Sequence, residues 1–141
     1  GCAADFCGRS AEPHPKQMAK GIVEHLEQRF DTALDDLKLR LYVTGCPNDC
    51  CLRMIGDIGL LGIHVPGNDA EESYNLYLGG RLGEKARLSE LVEKKVAPEQ
   101  VRAVIERLVD SCLKEGFTDF AEFCAVHSTE ELGSMAQLEV K

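Results

Sequence analysis

Cysteine is the residue type whose positions in this chain suggest chemistry. Cys46 and Cys50 are separated by a Pro-Asn-Asp turn, and Cys2 and Cys7 form a second pair near the start of the chain. Proline fixes its own φ and asparagine tolerates the backbone angles of a tight turn, so the loop can hold two thiolates toward one metal centre. A cubane iron–sulfur cluster requires four thiolates. The two pairs therefore predict an iron–sulfur site formed by Cys2, Cys7, Cys46 and Cys50.

Zinc is the alternative metal, because four cysteines also form a tetrahedral structural site. Zinc sites usually use closer pairs such as Cys-x2-Cys, and the Cys-x3-Cys spacing favours iron and sulfide. The chain could also hold these thiols empty or oxidised. The other three cysteines, Cys51, Cys112 and Cys124, are predicted to be small buried side chains. The four histidines show no paired spacing suited to a metal.

Composition limits the class of protein. A chain of 141 residues with 44% hydrophobic residues predicts one globular domain, and a formal net charge of −8 argues against a nucleic-acid surface. No apolar run reaches the roughly 20 residues of a membrane span, and no secretory signal precedes the cysteines. We therefore expect a cytoplasmic protein with reduced or metal-bound thiols. Because Gly1 immediately precedes the first predicted ligand, we also expect the chain to be a fragment or a processed form.

The apolar pattern predicts the elements that position the thiols. Helical spacing indicates one amphipathic helix from Lys16 to about Asp36, and alternation indicates a strand over residues 38–44 that runs directly into the Cys46 turn. Buried strands are predicted over 57–65 and 74–78, forming a hairpin or a near-neighbour pair. Asp57 is expected to fix, through hydrogen bonds, the end of the loop that carries Cys46 and Cys50, called here the cysteine loop.

The second half of the chain reads as mainly helical. Helices are predicted from Ala86 to about Lys94 and from Pro98 to about Glu115, with a short helix around the phenylalanines of residues 117–123 and a capping box at Ser128. The domain is expected to cover residues 1–132, and residues 133–141 to form a flexible tail. The order of elements predicts an α+β fold with a mixed or antiparallel sheet covered by helices.

The cysteine loop also carries a longer signature. Thr44-Gly45-Cys46, three residues, Cys50, six residues and then Asp57-Ile58-Gly59-Leu60 fill every position of a known pattern. This pattern resembles that of the sirohaem-dependent nitrite and sulfite reductases, in their C-terminal 4Fe-4S and sirohaem-binding domain. One departure concerns the upstream pair, since Cys2 and Cys7 are separated by four residues where the family has five.

The resemblance implies cofactors and roles. A [4Fe-4S] cluster would be held by Cys2, Cys7, Cys46 and Cys50, and the Cys50 thiolate would bridge a cluster iron to the axial position of sirohaem. The intact enzyme would reduce nitrite or sulfite with electrons from ferredoxin, a flavoprotein or an NAD(P)H-linked donor. Its substrate-binding residues lie in a partner N-terminal half, so no catalytic residue is assigned to this chain, which alone is expected to be inactive.

Two further expectations accompany this interpretation. Several basic residues are candidates to bind the carboxylates of sirohaem, although ordinary salt bridges are their default role. These residues are Arg9, Arg53, Arg81, Lys85 and Arg87. Gly79-Gly80 is expected to be either a turn or a point where the backbone approaches the macrocycle closely. The rival function is a cluster-only electron-transfer module that docks on a separate catalytic subunit. No membrane or nucleic-acid partner is expected.

Overall fold

The elements of this protein form one mixed sheet with helices. A computed structural model describes residue 2, residues 14–64, residue 67 and residues 72–137, and these contain five α-helices and four β-strands. A short 3-10 turn covers Arg53–Ile55. The elements in chain order are α1 (Pro15–Phe30), α2 (Ala33–Leu37), β1 (Leu41–Thr44), β2 (Ile58–Ile63), β3 (Ser73–Leu78), β4 (Glu90–Val96), α3 (Val101–Lys114), α4 (Phe120–Val126) and α5 (Thr129–Ala136).

The sheet places the cysteine loop in an unusual connection. The strand order is β1-β2-β3-β4, with β1 parallel to β2 and the other pairs antiparallel. Parallel neighbours need a crossover of about a dozen residues or more, and residues 45–57 provide it here. The predicted α+β class and the pairing of the second and third strands are therefore confirmed, and the crossover carries Cys46 and Cys50.

The two faces of the sheet are covered differently. On one face, the cross-strand row Val43, Leu60 and Leu76 is at most 1% exposed and belongs to the core with Ile22 of α1 and Ile105 of α3. Each fully buried aliphatic side chain of this kind contributes roughly 1.5–3 kcal/mol. The opposite face carries Tyr42, Gly59 and Tyr77 in register, and the crossover packs there.

The long first helix is shorter than predicted. Asp31 has φ of 46° and interrupts the hydrogen-bond ladder, so α1 ends at Phe30 and α2 starts at Ala33. Lys38 also lies in the left-handed region, with φ of 48°, and it separates α2 from β1. The strand consequently begins at Leu41 rather than at residue 38.

The predicted helix from Ala86 to Lys94 is wrong. Residues 90–96 form β4, which pairs antiparallel with β3 through an irregular register. The Asn75 side chain accepts a hydrogen bond from the Lys95 N–H at 3.0 Å across this irregularity. An available strand edge supplied the backbone partners, so tertiary pairing overrode the local preference of this Glu- and Lys-rich segment.

The C-terminal helices agree more closely with expectation. Asp119 caps α4 through hydrogen bonds to two backbone N–H groups, and Ser128 and Glu131 form the predicted capping box of α5. This helix continues past residue 132 to Ala136, with Gly133 and Ala136 buried. Residues 138–141 lie outside the described part of the chain, and the domain boundary stays a prediction.

Candidate metal site

Cys46 and Cys50 sit on consecutive turns at the start of the crossover. The Asp49 N–H donates to the Cys46 carbonyl at 3.2 Å, and the Leu52 N–H donates to the Asp49 carbonyl at 2.9 Å. Asp49 and Leu52 both have φ of 53°, so the chain reverses twice within a few residues. Cys46 is half-buried and Cys50 is exposed. The loop thus presents one thiol against the protein and one toward the surroundings.

Cys2 joins this loop although it is 43 residues from Gly45 in the sequence. The Gly45 N–H donates to the Cys2 Sγ at 3.3 Å, and the Cys2 N–H donates to the Val43 carbonyl at 3.0 Å. Backbone N–H groups aimed at sulfur are the hydrogen bonds that stabilise cluster thiolates. Cys7, the fourth predicted ligand, lies outside the described residues.

The chemistry of the donor set fits a soft metal centre. Three thiols, Cys2, Cys46 and Cys50, occur on adjoining segments, and thiolate is the ligand that iron–sulfur clusters and zinc select. Within residues 14–64 and 72–137 together with Cys2 and Gly67, no three His, Cys, Asp or Glu side chains converge closely enough to hold an ion. Assignment of the four ligands therefore stays a prediction.

An ion pair closes the loop around Cys50. The Asp49 carboxylate accepts from the Arg53 backbone N–H at 3.0 Å and lies 2.9 Å from the Arg53 Nη1. The guanidinium carbon stands 4.7 Å from the centre of the Tyr77 ring. The sequence analysis did not identify Asp49, although its opposite charge four residues before Arg53 was a usable signal.

A second ion pair anchors the far end of the crossover. Asp57 is 3% exposed, and its carboxylate accepts from the Arg40 backbone N–H at 2.8 Å and from the Arg40 Nε at 3.0 Å. Hydrogen bonding to Asp57 raises the pKa of Arg40 above its ordinary value. The prediction that Asp57 acts through hydrogen bonds is confirmed. Its partner lies 17 residues away, immediately before the neighbouring strand β1, so no local pattern revealed it.

Comparison with known proteins decides the family. Residues 13–119 match the model of the nitrite and sulphite reductase 4Fe-4S domain. The chain belongs to this family.

Individual relatives agree with this result. The chain is 32% identical over 107 residues to ferredoxin–nitrite reductase of Leptolyngbya laminosa, covering 75% of the chain and 20% of that protein. It is 36% identical over 105 residues to the sulfite reductase [NADPH] hemoprotein beta-component of Myxococcus xanthus, covering 70% and 17%. The NirA protein of Mycobacterium tuberculosis has a similar fold, with a TM-score of 0.70 and 26% identity over 86% of the chain and 24% of NirA. The chain thus spans about a fifth of the length of these relatives.

The remaining cysteines of this nitrite and sulphite reductase domain fall into two classes. Cys112 and Cys124 are buried, as predicted, and burial raises the pKa of Cys112 to about 12 and raises that of Cys124 further. Cys51 is half-buried rather than buried. Burial is the main cause that raises its pKa, and the nearby Cys2 and Cys50 thiols add to the effect.

The basic residues of the domain have carboxylate partners within the chain. Arg81, Lys85 and Arg87 line a cleft of about 330 Å³ together with Phe117 and Val126. The three side chains lie 3.2 Å from Asp119, 3.8 Å from Glu122 and 3.0 Å from Glu90, respectively. These contacts are the salt bridges expected by default, and contact with sirohaem stays a prediction. Arg9 lies outside the described residues.

Gly79-Gly80 has a structural explanation. A Cβ at Gly80 would lie 2.5 Å from the Met54 carbonyl oxygen and 2.6 Å from that of Gly56, so the chain lies directly against the end of the cysteine loop. Gly79 has φ of 85°, a conformation that favours glycine. Backbone packing therefore accounts for both glycines.

Three of the histidines contact glutamate side chains. The pairs are His25 with Glu106, His64 with Glu72 and His127 with Glu115. No helix in the described ranges is long and apolar enough to cross a bilayer.

Proposed function

We propose that this chain is the cluster-and-sirohaem-binding C-terminal domain of a nitrite or sulfite reductase. Cys2, Cys7, Cys46 and Cys50 would hold a [4Fe-4S] cluster, and Cys50 would also hold sirohaem. The observation that carries the proposal is the hydrogen bond from the Gly45 N–H to the Cys2 Sγ, which joins the upstream thiol to the Cys46–Cys50 loop. When bound, the two cofactors would supply a path for electrons from an external donor and the iron site for multi-electron reduction of nitrite or sulfite.

The residues of this chain would hold and orient these groups. The Gly45 N–H would donate to the Cys2 sulfur when that sulfur binds the cluster, and the half-buried Cys46 would supply a thiolate from the inner side of the loop. Cys50 is exposed, so its sulfur is accessible to a second group while it stays in the loop. Accessibility of this one thiol supports its assignment as the shared ligand.

The complete reaction would need more than this domain. The names of the relatives include ferredoxin, NAD(P)H and NADPH, which supports ferredoxin or an NAD(P)H-linked donor as the source of electrons, and a flavoprotein is the other donor proposed. An N-terminal half of the same enzyme, or a separate catalytic subunit, would bind the anionic substrate. We place the protein in the cytoplasm and expect little turnover from the isolated chain, because these substrate-binding groups belong to the partner.

The rival proposal is a cluster-only module that passes electrons to a separate catalytic subunit. Both proposals need the same four thiolates, and they differ in whether Cys50 serves sirohaem as well. Exposure of Cys50 is compatible with the shared role, since an accessible sulfur could bind a second group in addition to the cluster.

An anaerobic absorbance spectrum, with iron, sulfide and zinc quantified on the same sample, tests the proposal. The purified chain is reconstituted with iron and sulfide and then given sirohaem. We expect about four irons and four sulfides per chain and sharp macrocycle bands after addition of sirohaem. Iron and sulfide without those bands would favour the rival module, and a zinc-only chain would overturn both.

Single alanine variants identify the ligands. We expect Cys46→Ala and Cys50→Ala to abolish [4Fe-4S] binding, whereas Cys51→Ala keeps the iron content of the original chain. Cys51 is a matched control because it adjoins Cys50 in the same loop and is half-buried. Loss of iron in Cys51→Ala together with full retention in Cys50→Ala would reverse the assignment.

A further inference from the structure

The ion pair beside Cys50 has a role that the family match does not explain. We propose that Asp49 and Arg53, called here the Asp49–Arg53 clip, hold Cys50 in position and set the reduction potential of the centre that Cys50 ligates. Asp49 lowers this potential and Arg53 raises it. The inference about the potential rests on the proposed function, whereas the inference about position concerns the loop itself.

The clip encloses the segment that contains Cys50. One oxygen of the Asp49 carboxylate accepts from the Arg53 backbone N–H at 3.0 Å, and the other lies 2.9 Å from the Arg53 Nη1. Cys50, Cys51 and Leu52 lie between the two residues, so a single carboxylate closes a short ring of backbone around the thiol. A carboxylate that binds both an N–H and a guanidinium restricts this ring more than either bond alone.

The clip is also fastened to the sheet. A Cβ at Gly59 would lie 2.5 Å from the Arg53 carbonyl oxygen, so the Arg53 backbone rests directly on β2. Its guanidinium stacks on Tyr77 of β3, with 4.7 Å between the guanidinium carbon and the ring centre. A cation above an aromatic face is attracted by the ring, and more strongly where the pair is shielded from water. The two central strands therefore hold Arg53, and Arg53 in turn holds the segment that contains Cys50.

Both charges are partly withdrawn from water. The side chains of Arg53 and Asp49 are 15% and 18% exposed, respectively. The Arg53 Nε is buried, and no acceptor for it exists among the described residues. Burial of this atom against the Tyr77 ring shields the guanidinium charge from water on that side.

These charges act on the potential in opposite directions. Reduction adds an electron to the centre, so a nearby cation favours the reduced form and a nearby anion disfavours it. Partial burial of the pair weakens solvent screening and strengthens both effects. Together the two charges nearly cancel, and removing either one should expose the effect of the other.

Redox titration of the reconstituted chain separates this role from a purely structural one. The variants are Asp49→Asn, Arg53→Gln and the double variant, titrated anaerobically with mediator dyes. Asparagine suits position 49 because it keeps an oxygen for the Arg53 N–H and tolerates a φ of 53°. Arg29→Gln is the matched control, since Arg29 pairs with Glu106 in the helical layer on the other side of the sheet.

We expect opposite shifts from the two single variants. Asp49→Asn should raise the potential enough to change the ratio of reduced to oxidised centre about tenfold, which is about 59 mV for a one-electron couple. Arg53→Gln should lower it by a similar factor, and the double variant and Arg29→Gln should stay within about twofold of the original chain. Shifts of the same sign in both single variants, or none in chains that retain their iron, would overturn the role in the potential.

A metal-free measurement tests the positioning role on its own. In the reduced apo-chain, we compare by mass spectrometry the alkylation rate of the half-buried Cys51 in the original chain and in Asp49→Ala. Each rate is corrected for the thiolate fraction obtained from its pH dependence, because loss of the Asp49 charge also lowers the pKa of Cys51. Opening of the clip should raise this rate about tenfold and leave the buried Cys112 unlabelled. An unchanged Cys51 rate would overturn the positioning role. Because this test needs no cluster, its failure is distinguishable from a failure of the proposed function, which would show as an original chain that binds no iron.

Discussion

The cysteines of the helical layer and the cysteines of the crossover loop have opposite environments. Cys112 and Cys124 are almost fully buried, and burial keeps both thiols protonated across the ordinary pH range. Cys46 is half-buried and Cys50 is exposed, on a loop held by turns and ion pairs. One residue type therefore fills space on one side of the sheet and is available for chemistry on the other. Burial, rather than residue type, separates the two roles.

The two regions also differ in what stabilises them. The helical layer depends on apolar packing, in which Phe123 is fully buried and contacts Phe117 edge-to-face and Phe120 at a tilted angle. The loop depends on polar contacts, chiefly the ion pairs of Asp49 and Asp57. Mutations in the first region should therefore change global stability, and mutations in the second should change metal retention.

The largest effect on stability is expected from Phe123→Ala. Removal of this fully buried ring should lower the free energy of unfolding by about 3–5 kcal/mol, because the surrounding side chains cannot fill the cavity. Urea denaturation measures the change. Leu52→Ala, at a side chain that is 60% exposed on the loop, is the control and should stay within about 0.5 kcal/mol. Equal effects at the two positions would contradict the contrast between the regions.

Gly59→Ala should displace the crossover loop, because the Arg53 backbone packs against Gly59. The new Cβ would lie 2.5 Å from the Arg53 carbonyl oxygen, and the displacement should cost roughly 1–3 kcal/mol and speed iron loss to a chelator. Gly21→Ala in α1 is a matched control, since no atom lies within 4 Å of its Cβ position. An alanine there should stabilise the protein by roughly 0.5–1 kcal/mol. Iron loss at the original rate in Gly59→Ala would show that the loop does not depend on this contact.

The buried thiols should make stability fall at alkaline pH. Folding raises the pKa of Cys112 from an ordinary value of 9.0 to about 12, so between these values the unfolded chain loses a proton that the folded chain keeps. Deprotonation then favours unfolding, and this thiol should lower the free energy of unfolding by about 1.4 kcal/mol between pH 8 and pH 10. Urea denaturation at both pH values should show a smaller decrease in Cys112→Ala. Identical decreases would mean that this thiol does not titrate as the structure indicates.

Ser128→Ala should give the smallest effect. Ser128 accepts from the Glu131 N–H at 3.1 Å in the capping box of α5, and its loss should cost about 1 kcal/mol. Thermal unfolding measures the change, while iron content should stay the same because α5 is not part of the loop. A change in iron content would show that the helical layer and the loop are coupled.

The sequence was informative where the determining contacts are local. The Pro-Asn turn and the Thr44–Cys50 spacing predicted a loop after a strand, and the loop is there. The burial of Cys112 followed from helical spacing, and the capping box from its own four residues. Each of these features is decided within a few residues of chain, which is the range over which patterns are readable.

The errors have the opposite origin. β4 was predicted as a helix because only its pairing with β3 makes Glu90–Val96 a strand, and that partner is distant in sequence. The Arg40–Asp57 pair and the approach of Cys2 to Gly45 likewise depend on how strands assemble. Asp49 and Arg53 are the exception, since their i, i+4 spacing was visible and its meaning was not recognised.

The contact between Cys2 and β1 has a consequence for self-association. β1 lies at one edge of the described sheet, and its Val43 carbonyl points away from β2 toward the Cys2 N–H. Unpaired groups on an edge strand are templates on which a second molecule can add a strand and begin to aggregate. Cys2 therefore occupies one acceptor of this edge strand as well as bringing a thiol to the loop, and a chain that lacks Cys2 would expose that acceptor and lose the thiol together.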